Sequence, residues 1–134
     1  MTHPALALQA AVRAALIADS GVGALVGDRI YDEPPRGPTF PYVSFGEARA
    51  SDWSTGTETG AEHRLVLNVW SRHRGKAECW AIVEALQAIL DDAALTLDGH
   101  RLINLRFETA DVRRDRDRIT WTASVRFRAV TEPL

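Results

Sequence analysis

Residues 118–129, RITWTASVRFRA, decide the fold of this chain. Apolar and polar side chains alternate along this stretch without interruption. Successive side chains of a strand point to opposite faces, so the alternation predicts a strand with one buried face. One-sided burial is typical of antiparallel sheets, because parallel sheets are usually covered on both faces. The apolar positions are Ile119, Trp121, Ala123, Val125, Phe127 and Ala129.

Two further stretches alternate in the same way and predict neighbouring strands. One runs over residues 63–70, and the other follows a turn signal at residues 98–99. Shorter apolar runs predict a strand over residues 42–48 and an extended segment that begins at residues 29–31. The inward residues are Leu65, Leu67 and Val69 in the first stretch and Ile103, Leu105 and Phe107 in the second.

Two segments show the spacing of amphipathic helices instead. Residues 5–19 are rich in alanine, follow Pro4 in the first turn, and place Leu8, Val12 and Leu16 on one face. The glycine-rich run 20–27, SGVGALVG, is expected to stop this helix and to leave one short turn at most. A second helix is predicted from about residue 76 to residue 91. Its apolar stripe is Cys79, Ile82, Val83, Leu86, Ile89 and Leu90.

The order of these elements indicates an α+β fold. We predict a mainly antiparallel sheet of four to five strands, with two helices packed on one face. Four prolines between residues 34 and 41 predict a stiff connector without helix. No repeat or linker divides the chain, so we expect residues 1–134 to form one domain.

Composition argues against several classes of function. The 134 residues carry a formal charge of -2, which gives no electrostatic basis for gripping nucleic acid. The single cysteine, Cys79, cannot form an intrachain disulfide, and the amino end lacks the pattern of a signal peptide. We therefore expect a soluble protein that is made in a reducing cytoplasm and does not enter a membrane.

No catalytic, cofactor or metal constellation is found in the sequence. The four histidines are scattered, and the glycines of residues 21–27 lack the lysine of a phosphate-binding loop. Cys79 falls on an inward helical stripe, where cysteine behaves as a small apolar side chain. The carboxylate pairs at residues 91–92 and 115–117 are predicted to be exposed, whereas acid–base catalysis needs environments that separate two pKa values. We therefore expect a protein that is not an enzyme.

Several apolar side chains are not needed by the predicted core. Leu6 and Ile17 lie on a second stripe of the first helix, and Trp80 lies among polar residues on the second. They are either an interface or ordinary surface apolar groups, with Trp80 covering the proline-rich connector. The polar loop at residues 51–60 carries Trp53, and we expect it to be mobile in a free subunit and to order on contact with a partner.

Residues 111–118, DVRRDRDR, form a charged hairpin tip between the last two strands. One interpretation is a solvated tip whose charges discourage edge-to-edge aggregation. The other is a docking tip, because arginine side chains pair well with carboxylates across an interface. On the second interpretation the contact residues are Arg113, Arg114, Asp115 and Arg116.

These elements together resemble a known family, the gp17-like tail completion or tail terminator proteins of long-tailed phages and gene transfer agents. The resemblance covers nearly the whole chain, and its order and spacing are more specific than any single motif. The segments that carry it are LVGDRIYDEPP (25–35), PYVSFGE (41–47), SDWST (51–55), LVLNVWSRHRG (65–75), LTLDGHRLINL (95–105) and FRAVTE (127–132).

The resemblance implies a structural protein without a cofactor. It implies a homo-oligomeric ring of about six copies, whose head-to-tail contacts close on themselves. The implied partners are the tail tube protein and the connector or stopper protein on the head side, and DNA passes through the ring without specific binding. The implied location is the head–tail junction of a phage or phage-like particle.

Under this interpretation Arg126 and Arg128 should pair with carboxylates rather than line the channel. Two rival interpretations remain: a small enzyme, and a non-enzymatic α+β domain that binds a ligand or regulates a partner. The second rival predicts a lined pocket between the helices and the sheet.

Overall fold

The alternating stretches lie at the centre of a six-stranded sheet in a computed structural model that describes residues 2–134. The strands are β1 (Ile30–Tyr31), β2 (Tyr42–Asp52), β3 (Ala61–Ser71), β4 (Thr96–Leu97), β5 (His100–Arg114) and β6 (Trp121–Pro133). The helices are α1 (Pro4–Ala18), α2 (Ser20–Val26) and α3 (Ala77–Leu90). The strand order across the sheet is β1-β2-β3-β6-β5-β4.

The α+β class agrees with the prediction, but the expected four to five strands and two helices are too few. β1 and β4 have two residues each, which is too short for alternation to show. β1 pairs in parallel with β2, while every other neighbouring pair in the sheet is antiparallel. The sheet is therefore mixed. The proline-rich connector carries the chain back along the sheet, so that β2 begins beside β1 and runs in the same direction.

The pairing of β3 with β6 runs through eleven consecutive residue pairs without a bulge, from Ala61 opposite Thr131 to Ser71 opposite Trp121. Paired residues in an antiparallel ladder share a face. One face of both strands is therefore apolar through its middle, as the sequence predicts, and it ends in the buried polar residues His63, Ser71 and Thr131. Its fully buried members include Leu67, Val69, Ala123, Val125 and Phe127.

α1 and α3 lie on this apolar face and complete the core. α1 begins at Pro4, and the Nδ1 atom of His3 caps it by accepting a hydrogen bond from the amide of Ala5 at 3.0 Å. The inward stripes of both helices are buried in one cluster with the strands, as their spacing predicts. These are Leu8, Val12 and Leu16 on α1, and Cys79, Ile82, Val83, Leu86 and Leu90 on α3.

The expectation of a helix stop with one short turn at residues 20–27 is wrong. α1 does end at Ala18, but Asp19 then caps a second helix by accepting a hydrogen bond from the amide of Val22 at 2.9 Å. Burial of Val22 and Val26 offsets the low helix propensity of its glycines. Within residues 2–134 no single helix is long and apolar enough to cross a bilayer, and α1 with α2 meets that test only as a pair bent by 83°.

Two apolar residues assigned to the buried face are exposed. Ile103 follows Leu102 in a β5 segment where a bulge shifts the register, so the alternation changes face there. Ile119 lies in the tip before β6 begins, and it is exposed as well. The other apolar residues assigned to the inward face of these strands are buried or half-buried. Among them, Phe107 packs edge-on against Phe127 with ring centroids 6.0 Å apart.

Leu86 should be among the side chains on which stability depends most, because it is fully buried in α3. We expect Leu86→Ala to lower the free energy of unfolding by about 2–5 kcal/mol through lost burial and a residual cavity. Glu84→Ala on the exposed face of the same helix is the control and should change it by less than about 0.5 kcal/mol. Urea unfolding followed by circular dichroism measures both, and equal losses would contradict the assigned packing.

Candidate functional site

Three large apolar side chains face outward from the helices, as predicted. Leu6 and Ile17 on α1 are 58% and 40% exposed, and Trp80 on α3 is 45% exposed. The two α1 residues lie about 16 Å apart along the helix axis, so they form separate contact points. In the connector, the Phe40 ring packs against Tyr42 and lies under the Arg72 guanidinium. Whether Trp80 is an interface residue or a cover for the connector stays open between the two interpretations.

Trp53 lies at the start of the loop that joins β2 to β3, and it is 52% exposed. Its amide donates to the carbonyl of Gly60 at 3.0 Å, and the Arg128 guanidinium lies 5.6 Å from its ring centroid. Asp52 accepts hydrogen bonds from the amide and hydroxyl of Ser54, which lower the pKa of its carboxyl. Mobility of this loop in the free subunit stays a prediction.

Trp53 and Ile103 border a shallow depression of about 130 Å³, with Val130 beneath them. Sequence reasoning missed the contribution of Ile103, because strict alternation placed it in the core. Threonine and glutamate side chains complete the lining, so the depression combines apolar and polar groups at the end of the sheet that carries the β2–β3 loop.

The tip between β5 and β6 is ordered by its own carboxylates. Asp117 accepts hydrogen bonds from the amides of Ile119 and Thr120 and from the Thr120 hydroxyl, and these bonds lower the pKa of its carboxyl. The Asp115 carboxylate accepts from the amide of Arg116 at 2.9 Å. The tip is therefore a defined turn that presents its arginines outward.

The sheet face opposite the helices, called the open face here, is covered by ion pairs. Arg126 lies 2.8 Å from the Asp111 carboxylate, and Arg128 lies 2.6 Å from that of Glu62. The hydrogen bond from Arg128 is the main cause that lowers the pKa of Glu62. The expectation that Arg126 and Arg128 pair with carboxylates is thus confirmed.

Aromatic side chains form a groove between the connector and the tip, which sequence reasoning missed. Tyr42 and Trp70 stack with ring centroids 5.9 Å apart, and the Trp70 indole donates to the Ser44 hydroxyl at 2.9 Å. Burial raises the pKa of Tyr42. Phe40 and Arg72 complete this depression of about 440 Å³. The signal available in the sequence was the aromatic run from Phe40 to Tyr42, whose partner on β3 depends on the register.

The single cysteine of the chain lies in the core. Cys79 is fully buried, and desolvation raises the pKa of its thiol to about 11, so it stays protonated near neutral pH. A depression between α1 and the sheet has a volume of about 10 Å³, close to that of one water molecule. Within residues 2–134, no group of three or more His, Cys, Asp or Glu residues is arranged to hold a metal ion.

Known proteins share the sequence and the fold of this chain. A family model described as "Tail completion protein gp17" matches residues 10–132. The chain belongs to the gp17 tail completion protein family. The resemblance seen in the sequence is therefore confirmed over most of the chain, and the protein is a structural tail protein of a phage or phage-derived particle.

A solved structure gives the same result for the fold. A chain from the structure titled "Virion of native gene transfer agent (GTA) particle" is 37% identical, with a TM-score of 0.90. The match covers 98% of this chain and 99% of that chain. The curated proteins contain no sequence that matches.

Three histidines that are distant in sequence gather beside the start of α1 in this tail completion protein. His63 is buried and its Nε2 lies 2.9 Å from the Thr131 hydroxyl, while His100 Nε2 lies 2.8 Å from the carbonyl of Thr2. Burial lowers the pKa of His63, and positive charge on His3 and His100 lowers it further. Protonation of His63 therefore opposes folding.

His63 should make stability depend on pH in the weakly acidic range. Its pKa is lower in the folded state than the usual value of about 6.5, so the unfolded state binds more protons as the pH falls. The stabilisation is complete above that value and is lost as the pH drops through the folded pKa. We expect the urea midpoint to fall between pH 7.5 and pH 5.5, and His63→Gln to reduce this fall. His73→Gln at an exposed site is the control, and equal slopes in all three proteins would contradict the assignment.

Proposed function

We propose that this tail completion protein forms a ring of about six copies, which caps the tail tube, ends tube polymerisation and joins the tail to the head-side connector. DNA passes through the ring without specific binding. The protein is made in the bacterial cytoplasm and incorporated at the head–tail junction. The family match over residues 10–132 and the likeness to a chain of a gene transfer agent virion support this assignment.

The observation that carries the proposal is the set of large apolar side chains outside the core. Leu6, Ile17 and Trp80 point away from the cluster that α1 and α3 complete, so the fold of one subunit does not need them. A ring subunit must bury surface against two neighbours through unlike patches, and apolar groups on separate elements meet that requirement. We assign these three side chains to contacts between copies.

Trp53 and the charged tip extend the proposed contact surface. Trp53 is large, half exposed and anchored to the sheet by hydrogen bonds of its loop, which suits an aromatic anchor against the tube or a neighbour. Arg113, Arg114, Asp115 and Arg116 supply the ionic part of the same proposal.

The ion pairs of the open face suit a ring that lets DNA slide. Arg126 and Arg128 are each held by a carboxylate, which leaves them poorly placed to grip phosphates. The net charge of -2 also gives no long-range attraction for DNA. We propose that neither arginine lines the channel.

The rival functions differ from this proposal in what they require. An enzyme requires convergent polar groups with separated pKa values in a cleft, and the buried Cys79 thiol does not supply one. A ligand-binding domain of the kind considered requires a ligand-sized cavity between the helices and the sheet. The depression under α1 has a volume of about 10 Å³, which is too small for such a ligand. A bound small molecule in the aromatic groove of the isolated protein would favour the ligand-binding rival.

Removal of the protein from assembling particles tests the proposed function in its natural setting. Without a cap, tube polymerisation has no stop and the tail has no junction to the head. We expect overlong tails and unjoined heads by electron microscopy, and loss of DNA delivery. Tails of normal length on infectious or DNA-transferring particles would contradict the proposal.

Trp80→Lys tests the apolar contact between copies. A buried aromatic anchor replaced by a charge leaves an unpaired ammonium in the interface, so we expect ring assembly to weaken at least about tenfold. Assembly is measured as the fraction of purified tail tubes that carry a cap in electron micrographs, at fixed protein concentration.

Ala88→Lys is the matched control, because it adds the same charge at an exposed position of α3 two turns away. Both variants should fold as the wild type does by circular dichroism. Unchanged capping by Trp80→Lys would remove Trp80 from the interface and leave the other contact residues in place.

A further inference from the structure

Residues at two opposite sides of the sheet fall in the same rows of paired residues, as the strand register shows. The short edge strand β1 and the end of β5 stand in the same cross-sheet rows, although three strands lie between them in the order. One row runs Ile30, Val43, Val69, Ala123 and Val112. The next row runs Tyr31, Ser44, Asn68, Ser124 and Asp111.

The edge at β1, called the acidic edge here, consists of the exposed residues Asp28, Asp32 and Glu33 around the strand. Within residues 2–134 these three carboxylates form no ion pair. Two nearby arginines are used internally, because Arg13 donates to the carbonyl of Ile30 at 3.0 Å and Arg29 donates to that of Pro41 at 2.9 Å. Arg36 in the connector is exposed, so three carboxylates and one guanidinium face solvent here and the edge is acidic in sum.

The other edge, at the tip that follows β5, has the opposite arrangement. Its carboxylates are used internally, because Asp117 and Asp115 accept hydrogen bonds from the tip's own backbone. Asp111 is held by Arg126 and Arg113. Three exposed arginines of the tip form no ion pair with any described residue, and they are Arg114, Arg116 and Arg118. The Arg114 guanidinium lies 4.7 Å from the centroid of the Trp121 ring, so one of its faces is already covered.

We propose that the arginine tip of one copy docks on the acidic edge of the next copy, with Arg114 and Arg116 meeting Asp28 and Asp32. This inference rests on the proposed ring and names the two unlike surfaces that would form it. Unlike patches in contact make a head-to-tail interface, and such an interface closes into a ring when its rotation is right. The shared rows place the end of β5, from which the tip extends, level with β1 across the sheet.

Charge complementarity favours a second copy of this chain as the binding partner of the acidic edge. Exposed carboxylates and arginine guanidiniums form paired hydrogen bonds, which fix orientation as well as attract. A contact of this kind steers association and suppresses wrong partners more than it adds affinity. Its apolar counterpart is the set of outward helix residues assigned above.

The first experiment reverses charge on each surface. The tip variant is Arg114→Glu with Arg116→Glu, and the edge variant is Asp28→Arg with Asp32→Arg. Each variant alone sets like charges against each other at every contact, so we expect tube capping to fall at least about tenfold. Asp98→Arg and Arg101→Glu, which reverse charges at the other end of β5, are the controls and should cap tubes as the wild type does.

Mixing the two variants gives a decisive result. The glutamates of the tip variant meet the arginines of the edge variant, and the native tip of the edge variant meets the native edge of the tip variant. An equal mixture should therefore form an alternating ring with restored capping. All four substitutions in one chain should restore capping as well.

A second measurement does not depend on the reversed variants folding. The chain has a single lysine, Lys76, so Arg116→Lys keeps the charge and adds one reactive amine. A zero-length carbodiimide cross-link on capped tubes should join residue 116 to residue 28, 32 or 33. Mixing light and nitrogen-15-labelled protein before assembly identifies by mass spectrometry whether the link joins two copies.

The outcomes separate this inference from the proposed function. Capping by wild type and by both reversed variants alike, or capped tubes without the cross-link from residue 116, would overturn the docking of tip on edge while the ring stands. Failure of the wild type to cap tubes would overturn the ring and this inference together.

Discussion

The unbroken pairing of β3 with β6 is the constraint on which the rest of the structure depends. Eleven residue pairs without a bulge keep strict alternation over the centre of the sheet, so one face is apolar through its middle, with buried polar residues only at its ends. α1 and α3 lie on that face because it offers a continuous apolar surface. The opposite face then stays in contact with solvent. Its arginines need partners on the same face, which Glu62 and Asp111 supply.

A sheet covered on one face has its functional surfaces outside the core. The core uses the inward stripes of α1 and α3, so Leu6, Ile17 and Trp80 are left for other contacts. Exposed ion pairs add little to stability, so the pairs on the open face are better understood as neutralising a surface. Cys79 also belongs to the core, where burial raises the pKa of its thiol to about 11. The family match and the likeness to a gene transfer agent virion chain agree with a subunit that acts through contacts.

The sequence predicted the elements whose pattern is long and regular. The apolar stripe of α3 and the alternation of β3 and β6 were sufficient to identify these elements and their buried faces, because each pattern spans many residues. α2 was missed because its glycines signal a break, whereas the cap at Asp19 and burial of Val22 and Val26 depend on tertiary packing. Ile103 was misplaced because a bulge, which leaves no mark in the alternation, shifts the register beside it.

Of the candidate contact residues, Trp80 could be found from helical spacing. The aromatic groove could not be found, because strand register brings Trp70 beside Tyr42. The carboxylates of the acidic edge are neighbours in sequence, but only the structure shows that they form no ion pair within residues 2–134.

Electron microscopy of the purified protein mixed with tail tubes tests the central claim most directly, because it asks whether this subunit works by contact with copies of itself and with a tube. The account predicts density of ring shape at one end of each tube and no further growth at that end when tube subunits are added. Tubes that bind no density and continue to grow at both ends would contradict it.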